Sequence, residues 1–309
     1  MPPKLGYSYL QSTYMRKNLL FFQAAVTTAL TLSPSVYSQD VFGLWTSAGV
    51  EKKIIKGTDL DVEAEYRLTD DFKSFDRWST GLSLSTRLFR TIDKSFNVKA
   101  AAGYKFIRVL NPESVKYKGD SLDIADGHSP QYYLDGSHDF NHTYSYYENR
   151  HRLTASLQAS YEVSRLKFSL RESYQYTWSD SVQADRRVYR FGGIAEKYDP
   201  ETEDFVQVRE PDTDNMVTVW KGGSDKHVLR SRIGVDYNIP HWKFDPFVSM
   251  EFFNRIDKEW TLAKTRLTAG FEFNIAKKHY FQAAYLRQDH NDDDEPAGSV
   301  ISISYKLSL

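Results

Sequence analysis

Residues 301–309 read Ile-Ser-Ile-Ser-Tyr-Lys-Leu-Ser-Leu. Ile301, Ile303, Tyr305, Leu307 and Leu309 form one row, and Ser302, Ser304, Lys306 and Ser308 form the other. Successive side chains of a strand point to opposite faces, so this stretch predicts a strand with one apolar and one polar face. It runs to the last residue of the sequence, where a chain usually frays. A transmembrane β-barrel gives such a strand a task, because its last strand must pair and close the cylinder. Alternate apolar residues at this position also resemble the signal read by the outer-membrane assembly machinery.

The same period recurs upstream. Leu60, Val62, Ala64 and Tyr66 alternate with Asp61, Glu63, Glu65 and Arg67. Trp78, Leu82, Leu84 and Leu88 share a row opposite Arg77, Ser79, Ser83, Ser85 and Arg87. Further alternating runs begin near residues 42, 96, 153, 166, 229, 247, 265 and 279. Each has about the 9 to 11 residues that a tilted membrane strand needs. With the closing strand, this makes eleven candidates. The expected fold is all-β, a single antiparallel transmembrane barrel of 10–12 strands.

Bacterial single-chain barrels have an even number of strands. Three resolutions stay open: the run at 41–54 lies outside the ladder or in the lumen, a twelfth strand hides in a long loop, or one run is really two. Ten or twelve strands is the expectation. The partner of the closing strand is then either 41–54 or 59–68. A soluble β-sandwich also alternates, with its apolar face inward. A leader and unequal loop lengths argue against it.

Short connections at 162–165, 238–241 and 276–278 contrast with long ones at about 110–143, 179–226 and 289–297. Tight periplasmic turns and long extracellular loops are the usual asymmetry of outer-membrane barrels. The expected domains are a signal peptide over 1–38 and a barrel over 39–309. The leader has basic Arg16 and Lys17 after Met15, a 14-residue apolar stretch from Leu19 to Leu32, and a small residue, Ser38, before Gln39. Met15 is a candidate start. Loss of 1–38 removes Lys4, Arg16 and Lys17 and no acid, taking the net charge from −1 to −4.

No apolar run is long enough for a membrane helix, and mean hydropathy is −0.57. The chain has no cysteine, which excludes disulfides and thiolate metal sites. No basic block points to nucleic acid. Its 21 Tyr and 19 Phe suit strands and interfacial belts.

In a membrane barrel the charged row must face inward, since Arg or Lys on the lipid face costs about 2–4 kcal/mol at the midplane. The predicted lumen-lining charges are Glu63, Glu65, Arg67, Arg77, Arg87, Arg152, Arg171, Arg230, Arg232, Glu251, Arg266 and Glu272. They either line a narrow pore or pair across the lumen and fill it. Trp78, Trp178, Trp242 and Trp260 stand near strand ends, where an aromatic belt belongs.

Other chemistry is weaker. His151, between Arg150 and Arg152, with His142, Thr143 and Asn149 nearby, supplies residue types of a lipid hydrolase. His151 lies on the apolar row, however, and no nucleophile is distinctively placed. Acidic residues at 199–204 and 289–295 lack the order of a calcium loop. Tyr117, Tyr132, Tyr133, His138, Phe140, Tyr144, Tyr146 and Tyr147 could form a contact surface or pack on themselves. No cofactor or metal is expected.

The stretch Phe42-Gly43-Leu44-Trp45-Thr46-Ser47-Ala48-Gly49-Val50-Glu51-Lys52-Lys53, with Gly103-Tyr104-Lys105-Phe106 and Arg150-His151-Arg152, resembles an uncharacterised family of Gram-negative outer-membrane proteins that carries only a domain-of-unknown-function label. The resemblance implies an outer-membrane barrel and no established activity. The two long loops look longer than that family needs.

The expected function is non-enzymatic: a narrow passive channel or a structural membrane protein. The alternatives are a surface protein whose loops bind a partner protein, glycan or lipid, and a lipid hydrolase. Expected partners are outer-membrane lipid and lipopolysaccharide, with the assembly machinery during biogenesis.

Overall fold

The computed structural model describes residues 41–118, 139–200, 203–240, 242–276, 278–290 and 298–309. The leader, Tyr132, Tyr133, His138, Glu201 and the acidic residues Asp292, Asp293, Asp294 and Glu295 lie outside them.

The described residues form fifteen strands. Eleven close into a barrel: β1 (Val41–Ile55), β2 (Thr58–Thr69), β3 (Ser74–Arg90), β4 (Phe96–Asn111), β7 (Tyr146–Val163), β8 (Leu166–Ser179), β11 (Asp225–Tyr237), β12 (Phe244–Arg255), β13 (Thr261–Ile275), β14 (His279–His290) and β15 (Gly298–Ser308). The sequence order is kept around the cylinder. The eleven alternating runs are therefore the eleven barrel strands, and neither ten nor twelve is correct.

The parity problem has a simple geometric answer. Neighbours that alternate in direction close antiparallel only if their number is even. An odd number leaves one parallel pair, and here it is β1 with β15, in register from Val41↔Gly298 to Glu51↔Ser308. The barrel is thus antiparallel except at one seam. β1 also pairs antiparallel with β2, from Leu44↔Leu68 to Ile55↔Thr58. The closing strand meets the 41–54 run, which lies in the ladder.

All connections at the Ser308 end are short, none exceeding six residues: 56–57, 91–95, 164–165, 238–243 and 276–278. Four of them contain a left-handed residue, among them both two-residue turns. Gly57 has φ +89° and Ser164 has φ +56°, each in a two-residue hairpin turn, where positive φ matches the twist of the strands.

The faces are inverted relative to a water-soluble core. Val62, Tyr66, Leu82, Leu84, Leu153, Leu157, Phe168, Leu170, Ile233, Phe271, Ile301 and Ile303 are exposed. Arg77, Ser79, Ser173, Gln175, Ser249, Glu251 and Gln288 are buried, alongside Tyr237, Phe247 and Phe253. The interior is a mixed polar and aromatic filling.

The two long insertions hold a second unit, residues 108–150 and 178–224. They are not irregular. β5 (Ser114–Tyr117), β6 (Phe140–Thr143), β9 (Ser181–Asp199) and β10 (Asp204–Gly222) make a four-stranded sheet in the order β10-β9-β6-β5. Strands do hide in the long loops, but they stay out of the barrel ladder. Phe140 is fully buried and stacks on Tyr189 at 4.9 Å. The Arg187 guanidinium grips Asp214 through two hydrogen bonds of 2.7 and 2.8 Å, and these hold the Asp214 carboxyl below its ordinary value.

Candidate functional site in the barrel interior

The inward row of β2 carries Asp61, Glu63, Glu65 and Arg67. Each acid is matched locally. Glu65 accepts from Arg67 at 2.8 Å, Glu63 meets Lys105 at 3.4 Å, and Asp61 meets Lys306 at 2.5 Å. Arg67 also lies 3.7 Å above the Trp45 ring, and Arg266 lies 4.8 Å from the same ring. Arg77 is buried with Asp76 at 2.9 Å, Arg152 donates to Thr177 Oγ1 at 3.0 Å, and Glu272 accepts from Gln282 at 2.8 Å. Lys167 pairs with Asp236 at 2.9 Å. Arg87 departs from the expectation of a lumen charge: it is exposed, at the end of β3 beside the Gly57 turn.

One constellation stands apart. Glu251, on β12, is almost fully buried. The pairings Arg232↔Glu251 and Glu251↔Arg266 set a guanidinium on each side of it. Arg230 Nη2 reaches its Oε1 at 2.5 Å, while Arg171 Nη2 and Arg232 Nε lie 3.6 Å from that oxygen. Arg266 Nη1 lies 3.4 Å from Oε2 and its Nη2 donates to Gln288 at 3.2 Å. Four arginines from β8, β11 and β13 thus face one carboxylate. Phe253 shields the group, with Arg230 and Arg266 at 5.0 and 5.2 Å from its ring.

Of the predicted lumen charges, the structure brings together Arg171, Arg230, Arg232, Glu251 and Arg266. It leaves Glu63, Glu65, Arg67, Arg77, Arg152 and Glu272 in separate local pairs. Lys306, expected on the polar row of the closing strand, pairs with Asp61, and Asp61, Lys167, Asp236 and Trp45 join the interior beyond the predicted set. Their signal was present, since all stand on inward rows of alternating strands.

The outer face carries two groups of aromatic rings, most of them phenylalanine and tyrosine. Near the short-turn end, Phe244, Phe273, Phe281 and Tyr305 form a ladder across neighbouring strands, with successive ring centroids 5.2, 4.9 and 5.0 Å apart. Trp242 extends it at 6.4 Å from Phe244. Toward the other end, Trp78 meets Phe106 at 5.5 Å and Phe106 meets His151 at 5.4 Å. Trp260 is exposed in the turn after β12, and Trp178 belongs to the second unit. His151 Nδ1 is 2.6 Å from Tyr104 Oη, which puts this histidine in the outer aromatic row. Ile301, Ile303 and Leu309 of the closing segment are exposed, while Tyr305 and Leu307 are half-buried.

Asp257, in the turn after β12, accepts from Arg255 at 2.9 and 2.6 Å. These bonds hold its carboxyl down to about 2, against an ordinary 3.8. A carboxylate depressed by folding contributes stability that is fully present above the unfolded value, about pH 4, and is lost as pH falls through the folded one. Asp257→Asn is therefore expected to flatten the stability profile between about pH 4 and pH 2, seen as a smaller drop in the urea midpoint than the parent shows. An unchanged profile would place the acid sensitivity elsewhere.

The fold and this interior define a class: a closed, odd-stranded β-barrel with an apolar outside and an arginine-rich inside. The chain belongs to the family described as a protein of unknown function (DUF2490), which it matches over residues 42–297. Comparison with curated proteins finds no match.

Proposed function

We propose that this chain is an integral, non-enzymatic protein of a bacterial outer membrane that forms a narrow, passive, charge-lined passage. The observation that carries the reading is the inversion of faces, with leucine, isoleucine and phenylalanine outside and charge inside. In water such an outer face is a liability, and in hydrocarbon it is required. Its height fits as well. The outward row of β3 from Trp78 to Leu88 covers eleven residues, ten steps or about 33 Å along a strand. At the tilt of about 40° usual for barrels this is about 25 Å, the height of a bilayer's apolar band. Aromatic rings toward both ends fit the two lipid–water interfaces.

Charge inside the barrel keeps contact with solvent at the short-turn end and along β2. Lys167, Lys306 and Glu63 keep 44%, 38% and 35% of their side-chain surface exposed. The test is reconstitution. The purified chain is expected in the membrane fraction, with heat-modifiable gel mobility and small unitary conductance in planar bilayers. A barrel that inserts but never conducts would leave only a structural membrane role. A protein recovered soluble from the periplasm would overturn the whole reading.

A second reading, surface contact, is favoured by the four-stranded sheet. Trp220, Phe205 and Tyr198 are 70%, 66% and 55% exposed, and the last two meet edge to face at 5.5 Å by the β9–β10 turn. Exposed aromatics of this kind anchor interfaces. Phe205→Ser with Tyr198→Ser is expected to weaken binding of lipopolysaccharide micelles about tenfold, the worth of one aromatic anchor. Equal binding by the double variant would dismiss this surface.

A further inference from the structure

We infer that the arginines around Glu251 form a binding site for a small oxyanion, a carboxylate- or phosphate-bearing solute, inside the barrel. Arg171, Arg230 and Arg232 have one carboxylate among them, and only Arg230 is close enough to hydrogen-bond it. Each guanidinium offers five donors, far more than one carboxylate can accept. The Nε atoms of Arg171 and Arg230 are buried with no acceptor among the described residues. Arg266 adds a fourth positive charge at the other carboxylate oxygen.

Neighbouring acids relieve little of this surplus: Glu272 feels the charge of Arg232 but forms no ion pair with it and accepts instead from Gln282. Asp61, Glu63, Glu65, Asp236 and Asp257 are already held by Lys306, Lys105, Arg67, Lys167 and Arg255. Access is asymmetric in a useful way. Glu251 is 3% exposed at its side chain, while Arg171 and Arg232 keep 29% and 31%. The internal anion is occluded, and Arg171 and Arg232 are the most exposed guanidinium groups of the cluster. Guanidinium forks suit the two-oxygen edge of a carboxylate or phosphate. Glu251 acts here as an internal ligand that keeps the arginines gathered when no solute is bound.

The site requires the interior to be reachable by solute, as in the channel reading, but does not require conduction. The test uses the full chain folded in detergent micelles. Inorganic phosphate is titrated against chloride at constant ionic strength, with binding read by calorimetry and unfolding by heat. Saturable phosphate binding is expected. Arg171→Gln with Arg232→Gln should weaken it roughly tenfold or more, since two charge-assisted contacts are removed. Glu251→Gln should do the opposite: it should bind phosphate more tightly, and its unfolding temperature should depend more on phosphate than the parent's. A purely structural ion-pair cluster predicts a Glu251→Gln loss that phosphate does not repair.

Absent or unsaturable binding by a folded parent would overturn the site, as would equal binding by the double arginine variant. Phosphate binding without conductance would keep the site and fail the channel reading. Conductance without phosphate binding would do the reverse.

Discussion

Leu82→Arg is expected to destabilise the barrel in lipid vesicles by about 2–4 kcal/mol. Leu82 sits midway along β3, half-exposed on the outward row and paired with Val62. In a bilayer the new guanidinium would stand in hydrocarbon near the midplane, where neither water nor an acidic partner can reach it without thinning the membrane. On a barrel standing in water the same change on an exposed position would stay within about 0.5 kcal/mol. The measurement is the urea dependence of folding into vesicles. Ser83→Arg, one residue along on the inward row, reports the cost of charge inside, and Leu82→Phe reports the cost of size alone. A loss of only a few tenths of a kcal/mol for Leu82→Arg would mean that this face does not meet lipid.

The second large effect lies at Gly270. A Cβ added there would stand 2.4 Å from the Ala283 carbonyl oxygen, 2.7 Å from Ala284 Cβ and 2.8 Å from Ala284 Cα. Two of these atoms are backbone, and β13 pairs Gly270 with Ala284 directly. No side chain can swing away, so relief requires the strands to part. Gly270→Val is expected to cost about 3 kcal/mol, at the upper end of overpacking effects. It should reduce the fraction of chain that reaches the compact, heat-modifiable form. Gly81→Ala is the control: its nearest contact is the flexible end of Lys105, at 3.3 Å, which can step aside. A Gly270→Val chain that folds with the parent's midpoint would show that the β13–β14 spacing is softer than its contacts imply.

How far these features could be read in advance varied with their range along the chain. Period-2 alternation is a local property, and it located all eleven barrel strands. The even-number rule then worked against a correct count. It assumes antiparallel closure, and the β1–β15 seam is parallel. In the second unit, β9 and β10 escaped notice for another reason. Both faces of Ser181–Asp199 mix charge with apolar residues, as in Asp185-Arg186-Arg187-Val188-Tyr189-Arg190, so no clean row emerges. The register of β10 shifts between Glu210 and Thr213, around Pro211. Phe205-Val206 and Met216-Val217-Thr218-Val219-Trp220 were the available strand signals.

Tryptophan positions mark little of the outer aromatic row, which phenylalanine and tyrosine of β12 to β15 form at the short-turn end. No single strand advertises that ladder, because its rings come from four strands and meet only through their register. The charged interior was legible as a set of residues and illegible as a site. Glu251 looks no different in sequence from Glu63 or Glu272. Each is an acid on an inward row.

Sequence alone determined the alternation of outward and inward rows in the barrel and the approximate place of each barrel strand, six of which start three to seven residues before the alternating run. These follow from the alternating direction of side chains along an extended chain, a property each segment carries by itself. Tertiary structure decided the parallel seam, the sheet built from the long insertions and the gathering of four arginines on Glu251. Each of these depends on which distant strands become neighbours, and at what offset. A slip of one residue between β11 and β12 would put Arg232 opposite Met250 or Phe252 instead of Glu251, and the cluster would not exist.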